Sequence, residues 1–184
     1  MLVPRKAYLT AGKGTHREPL VAFELALRDA GIAAQNLVAV SSILPPGCAL
    51  IERAEGERFL KPGQILHVVL SRHETTRPTG LLGASVGIAV PDDASQHGFV
   101  SEYHAEGLTQ EAIELHAEDL ACTMLGSLMG VDLDANLSWE KRAATLERSG
   151  KIRERRSCGS VLDAAEGEAS CVVAACVFVM EWML

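Results

Sequence analysis

The sequence predicts an α/β fold of the α+β kind, in a single domain, on three observations. The chain of 184 residues is 48% hydrophobic and 22% charged, the balance of a globular protein. Aromatic residues make up only 4%, so the core must rest on Val, Leu, Ile and Ala, which pack well on pleated sheets. Apolar runs of strand length alternate with two stretches of helical period, and no linker rich in Pro, Gly or Ser divides residues 1–184.

In order, residues 5–11 read as a first strand, followed by a glycine turn at Gly12-Lys-Gly14. A helix is expected over residues 20–30, since Pro19 suits a first helical turn and Gly31 a position just past the end. Leu20, Glu24 and Leu27 fall at i, i+4 and i+7, which sets a carboxylate into an otherwise apolar stripe. Residues 36–44 read as a second strand that ends on Ser41-Ser42. Pro45 and Pro46 fix their own φ and push Leu44 into an extended conformation, leaving the backbone few ways to relax. A Ser-Ser peptide in that setting is open to attack by its own hydroxyl.

A short strand is expected from Cys48, then sheet over residues 64–75, 81–90 and 98–104. Small residues in Gly83-Ala-Ser-Val-Gly87 suggest that another layer packs closely there. From Thr109 the period becomes helical, with Ile113, Ala117, Leu120, Ala121, Met124 and Leu128 on one face, Thr109 as N-cap and Gly130 as the stop. The charged segment after Asp132 fits an exposed helix or a strand edge equally well, so residues 132–160 stay unassigned. Residues 171–182 read as a final buried strand.

A net charge of −7 argues against nucleic acid as a partner and against an anionic membrane surface. The start of the chain has no apolar stretch of the kind a secretory signal carries, which points to the cytoplasm. Five cysteines without CxxC spacing read as reduced thiols. Gly12-Lys13-Gly14-Thr15 lacks the full phosphate-cradle pattern, so a glycine turn is the expectation. Six histidines, at 16, 67, 73, 97, 104 and 116, show no metal-ligand spacing, and no metal is expected. Arg153 to Arg156 reads as a solvated face. Glu102 lies in an apolar strand, where burial would raise its pKa and suit it to proton donation; outward exposure is the competing reading.

Several segments together resemble the pyruvoyl-dependent arginine decarboxylases. These are Pro19-Leu-Val-Ala-Phe23, Ala30-Gly-Ile32, Asn36-Leu37, Ser41-Ser-Ile-Leu-Pro-Pro46, Ser85-Val-Gly-Ile-Ala-Val-Pro91 and Gly98-Phe-Val-Ser-Glu102-Tyr103, in uninterrupted order. The resemblance implies a four-layer αββα sandwich, assembled as a trimer or a dimer of trimers, with active sites between neighbouring subunits. It also implies self-cleavage between Ser41 and Ser42 into a β chain, 1–41, and an α chain, 42–184. Ser42 would become a covalent pyruvoyl group, with no PLP needed, and Asn36 would assist the processing. Glu102 would be the proton donor, while Leu20, Glu24, Leu27, Ser41 and Ile43 would contact the substrate.

Removing CO2 from an amino acid leaves electrons on Cα that no ordinary side chain accepts, and a pyruvoyl ketone supplies the sink. A guanidinium is best met by a fixed carboxylate that accepts two parallel hydrogen bonds, which suits Glu24. The family members best known carry Asp there, so the extra methylene of Glu24 opens the site to a different fit. Conversion of L-arginine to agmatine and CO2 is the expected activity. The alternatives are another basic amino acid handled by the same processed protein, or an uncleaved chain serving as a structural or binding subunit.

Overall fold

The computed structural model describes residues 3–131 and 137–180. In chain order its elements are β1 (Lys6–His16), α1 (Pro19–Asp29), β2 (Asn36–Ala39), β3 (Ile43–Leu44), β4 (Ala49–Leu50), α2 (Arg53–Gly56), β5 (Ile65–Thr75), β6 (Gly80–Pro91), β7 (Gly98–Glu106), α3 (Gln110–Leu128), α4 (Trp139–Arg148), β8 (Ile152–Ala164) and β9 (Ala169–Val179). One sheet has the order β2-β5-β9-β1-β4 and the other β3-β7-β6-β8. The two sheets pack face to face, with α1 on the outside of the first and α3 on the outside of the second. This is the four-layer αββα sandwich the resemblance implied.

Three apolar layers hold the stack. Ala22 and Ala26 of α1, with Ala30 at its C-cap, share one buried cluster with Tyr8, Val173, Ala175 and Val177 of the first sheet. Between the sheets, Val69, Cys176 and Phe178 meet Leu44, Ile88 and Val100. Under α3, Ala89 packs with Ala121, Cys122 and Leu125, and Leu146 of α4 completes that cluster. The middle strand β9 is buried along its whole length, which explains its unbroken apolar sequence.

The expected glycine turn at residues 12–14 is corrected by the structure, because β1 runs straight through it to His16. A Cβ on Gly12 would stand 2.3 Å from the Ala26 carbonyl oxygen, and one on Gly14 would stand 2.5 Å from that of Ala22. These glycines admit the helix backbone instead of turning the chain. The same closeness makes Ala22, Ala26 and Ala30 the packed stripe of α1, in place of the Leu20, Glu24 and Leu27 face. Gly31, at φ +75°, ends the helix, with Ile32 N–H bonded to Leu27 O and Gly31 N–H to Arg28 O. The Thr10 hydroxyl donates to Ala30 O at 2.6 Å and pins that end to the sheet.

The second helix layer repeats this solution. A Cβ on Gly87 would lie 2.3 Å from the Ala117 carbonyl, so the small residues of β6 do accommodate a close layer. Ser85 Oγ donates to Ile113 O at 2.8 Å, and the Ser101 hydroxyl donates to Ala117 O. Thr109 caps α3 by accepting from Ala112 N–H at 3.3 Å, and Gly130 follows the helix with φ +64°. The unassigned charged segment resolves into α4 and the edge strand β8 around the undescribed residues 132–136. Its basic cluster is not simply solvated. Arg155 pairs with Glu118 of α3 at 3.1 Å, and Arg156 bonds Glu154 at 2.6 Å and Glu52 at 3.3 Å. The last strand ends at Val179, and Trp182 lies outside the described residues.

Candidate functional site

The predicted strand over residues 36–44 is two strands in two different sheets. β2 runs parallel to β5, with Asn36 opposite Ile65 and Ala39 opposite Val68, and its last rung is Val40 N–H to Val68 O at 2.9 Å. β3 pairs antiparallel with β7, Ile43 opposite Phe99 and Leu44 opposite Gly98. Ser41 and Ser42 are therefore the step by which the chain crosses from one sheet to the other. The reason lies downstream: Pro45, Pro46, Gly47 and Cys48 form a turn closed by Cys48 N–H to Pro45 O at 3.1 Å, with Gly47 at φ +67°. That turn directs the chain back into β4 beside β1 and fixes Leu44 in the layer between the sheets.

Both carbonyls of the serine pair are held. Ser41 O accepts from Ile43 N–H at 2.8 Å, an i to i+2 contact that wraps the backbone around Ser42. Ser42 O accepts from Val100 N–H of β7 at 2.8 Å. Glu102 lies two residues beyond Val100, on the same face of β7, and so takes the diagonal position across the pair from Ser42. Such diagonal neighbours have Cα atoms about 7–8 Å apart, within reach of a glutamate side chain. Glu102 is exposed on the isolated chain, yet partial loss of hydration there raises its carboxyl above the usual range.

Next to the crossing is a cavity of about 430 Å³ at the open end of the inter-sheet layer, lined by Val40, Ser41, Ile43, Pro46, His67 and Phe178 among others. His67 stands opposite Phe178 on β9 and opposite Val38 on β2. Its Nδ1 is closed off from solvent without a hydrogen-bond partner. The sequence shows His67 only as one polar residue in an apolar strand. What brings it to Ser41 is a parallel pairing across a long loop, which no local pattern reports.

Other expected site residues lie elsewhere in the single chain. Asn36 begins β2, and its side-chain amide donates to Gly63 O at 2.9 Å, about 16 Å of extended strand before Ser41. Glu24 is on α1, outside the first sheet, where both its oxygens accept from Arg28 Nη2 at 2.7 and 2.9 Å. Leu20 is 75% exposed on the same helix, and Leu27 packs partly against the core. One chain thus unites Ser41, Ser42, Ile43 and Glu102 and holds Leu20, Glu24, Leu27 and Asn36 apart from them. Among the described residues, no group of three or more His, Cys, Asp or Glu is placed to hold a metal ion. None of the five cysteines is in a disulfide, and among the described residues no helix is long and apolar enough to cross a membrane.

Comparison with known proteins finds relatives along almost the whole chain. Pyruvoyl-dependent arginine decarboxylase 2 of Methanosarcina mazei is 44% identical over 179 residues, 97% of this chain and 98% of the relative. The pyruvoyl-dependent arginine decarboxylase of Methanococcoides burtonii is 41% identical over 180 residues, 97% of this chain and all of the relative. A probable pyruvoyl-dependent arginine decarboxylase of Chlorobaculum tepidum is 47% identical over 166 residues, 90% of each chain. The profile described as pyruvoyl-dependent arginine decarboxylase matches residues 6–183, and the chain belongs to that family.

Proposed function

We infer that this protein is a self-processing decarboxylase that converts L-arginine to agmatine and CO2 with a pyruvoyl group made from Ser42. The observation that carries the reading is the Ser41-Ser42 crossing, with the Ser41 carbonyl held by Ile43 N–H and Glu102 diagonal to Ser42. Ser42 Oγ attacks the Ser41 carbonyl carbon and displaces the Ser42 nitrogen, converting the peptide bond to an ester. A donor on the carbonyl oxygen stabilises the charge that develops there, and Ile43 N–H already occupies that position. Loss of the Ser42 Hα as a proton and cleavage of its Cβ–Oγ bond releases Ser41 as a carboxylate. Water then replaces the nitrogen at position 42, which leaves as ammonia, and two chains, 1–41 and 42–184, result.

When formed, the pyruvoyl group supplies the electrophilic sink that decarboxylation needs. The chain's own residues bind the substrate and move the proton. Glu102, whose raised pKa keeps its carboxyl protonated to higher pH, gives a proton to the substrate Cα after CO2 leaves. Glu24, Leu20 and Leu27, with Asn36, act from a neighbouring copy of the chain, in a trimer or a dimer of trimers. Exposed Leu20, Val21, Val38, Ile43 and Ile65 supply the apolar surface for that contact. Glu24 then exchanges Arg28 for the guanidinium of arginine. Five cysteines without a disulfide suit a reducing cytoplasm.

Intact mass of the purified protein, with agmatine and CO2 measured from arginine, tests this reading. Two chains and agmatine are expected. A single uncut chain that releases no CO2 overturns it.

A further inference from the structure

We propose that His67 is the binding site for the carboxylate that self-cleavage creates at Ser41, an inference that rests on the processing described above. Before cleavage, the Ser41 carbonyl is a neutral amide oxygen satisfied by Ile43 N–H. After it, the same carbon carries a full negative charge beside a cavity walled by Val40, Ile43, Pro46 and Phe178. A carboxylate beside such walls is costly unless a donor or a cation meets it. His67 is the only titratable side chain among the described residues that line this cavity.

Two features direct His67 at this task. The β2–β5 register sets it opposite Val38, three residues before Ser41, and both His67 and Ser41 line the same cavity. Its Nδ1 is buried and unpartnered, whereas buried ring nitrogens are ordinarily satisfied. An unfilled donor position is what a group that gains its partner only after a chemical step would show. The new carboxylate supplies the acceptor, and the imidazole supplies an N–H that is charged when the ring is protonated. The contact fixes the new end of residues 1–41, whose β1 and β2 are already held in the first sheet by β9 and β5.

The substrate carboxylate has the same chemistry, so the test must separate the two sources. His67→Phe keeps ring volume without a donor, and His67→Gln keeps a donor. Each is made in the otherwise native protein and in the Ser42→Ala protein, which cannot cleave, and thermal unfolding is measured without substrate. The expected result is a Tm about 5 °C lower for His67→Phe in the processed protein than its effect in the Ser42→Ala background accounts for, with His67→Gln recovering at least half. Equal losses in the two backgrounds overturn the assignment while the processing reading stands. A raised KM for arginine with no excess loss of Tm also overturns it, by placing the substrate carboxylate on His67. An uncut native chain by intact mass removes the Ser41 carboxylate and overturns both readings together.

Discussion

The backbone N–H of Ile43 donates to the carbonyl oxygen of Ser41 at 2.8 Å, so the bond proposed to break lies within a three-residue turn centred on Ser42. The nucleophile and the polarised carbonyl therefore belong to adjacent residues whose geometry is set by backbone alone. Ser42→Ala is expected to abolish cleavage and activity, seen as one chain by intact mass. Ile43→Pro removes the donor and is expected to slow cleavage about 10²–10³-fold, the usual loss for one such hydrogen bond. Circular dichroism establishes that the fold survives, and cleavage at the native rate would show that another group polarises this carbonyl.

Glu24 and Ser42 stand on opposite sides of the first sheet, so a site using both must be built from two copies. A Ser42→Ala chain and a Glu24→Ala chain are each expected to be inactive with arginine. In oligomers formed from equal amounts of the two, about one quarter of the interfaces pair an intact Ser42 with an intact Glu24. Activity near that fraction is expected, measured as CO2 release after co-expression. No recovery in verified mixed oligomers would place the substrate carboxylate within the same chain as Ser42.

Glu102→Gln is expected to permit cleavage but to slow turnover by about 10²–10⁴-fold, the typical contribution of a positioned proton donor. Loss of hydration raises the Glu102 carboxyl, so its protonated form persists above the usual carboxylate range. Turnover should fall as pH rises through the raised value, and the Gln variant should lack that limb in a kcat profile. Stability carries the same sign. The fold disfavours ionised Glu102, so the native protein loses this stability as pH rises through the raised value, whereas the Gln variant does not. Below the ordinary glutamate range the two should unfold alike. A Gln variant with native turnover would remove Glu102 from the reaction.

Much of the fold is legible in the sequence because most elements obey their own local period. Cys171 to Val179 is apolar at nearly every position because β9 is covered on both faces, and Thr109 and Gly130 bracket α3 by ordinary capping chemistry. The misreadings share one cause, which is that the deciding contact is distant. Gly12 and Gly14 look like a turn until α1 is laid over them. Residues 36–44 look like one strand because both halves are extended, and only their partners, β5 and β7, show that the chain changes sheets. Ser42 and Glu102 are marked by their motifs, whereas His67 carries no local signal.

The glycine correction has its own test. Gly12→Ala places a methyl group 2.3 Å from the Ala26 carbonyl oxygen, so α1 must shift outward. The expected cost is about 1–3 kcal/mol, the usual range for overpacking, read from urea unfolding. A flexible turn at Gly12 would tolerate alanine with no measurable loss.

Asp119 and Arg142 give the final test, because they join α3 to α4 through a nearly sealed carboxylate. The Asp119 side chain is 2% exposed and that of Arg142 19%, and the guanidinium donates to both Asp119 oxygens. Arg142→Ala strands a buried negative charge and is expected to cost about 3–5 kcal/mol. Changing both to leucine removes the stranded charge and keeps an apolar contact, so the double variant should regain most of that loss. Urea unfolding of the two single variants and the pair gives the coupling directly. Losses that simply add would mean that α4 is held to α3 by Leu146 and its apolar neighbours, with the ion pair contributing little.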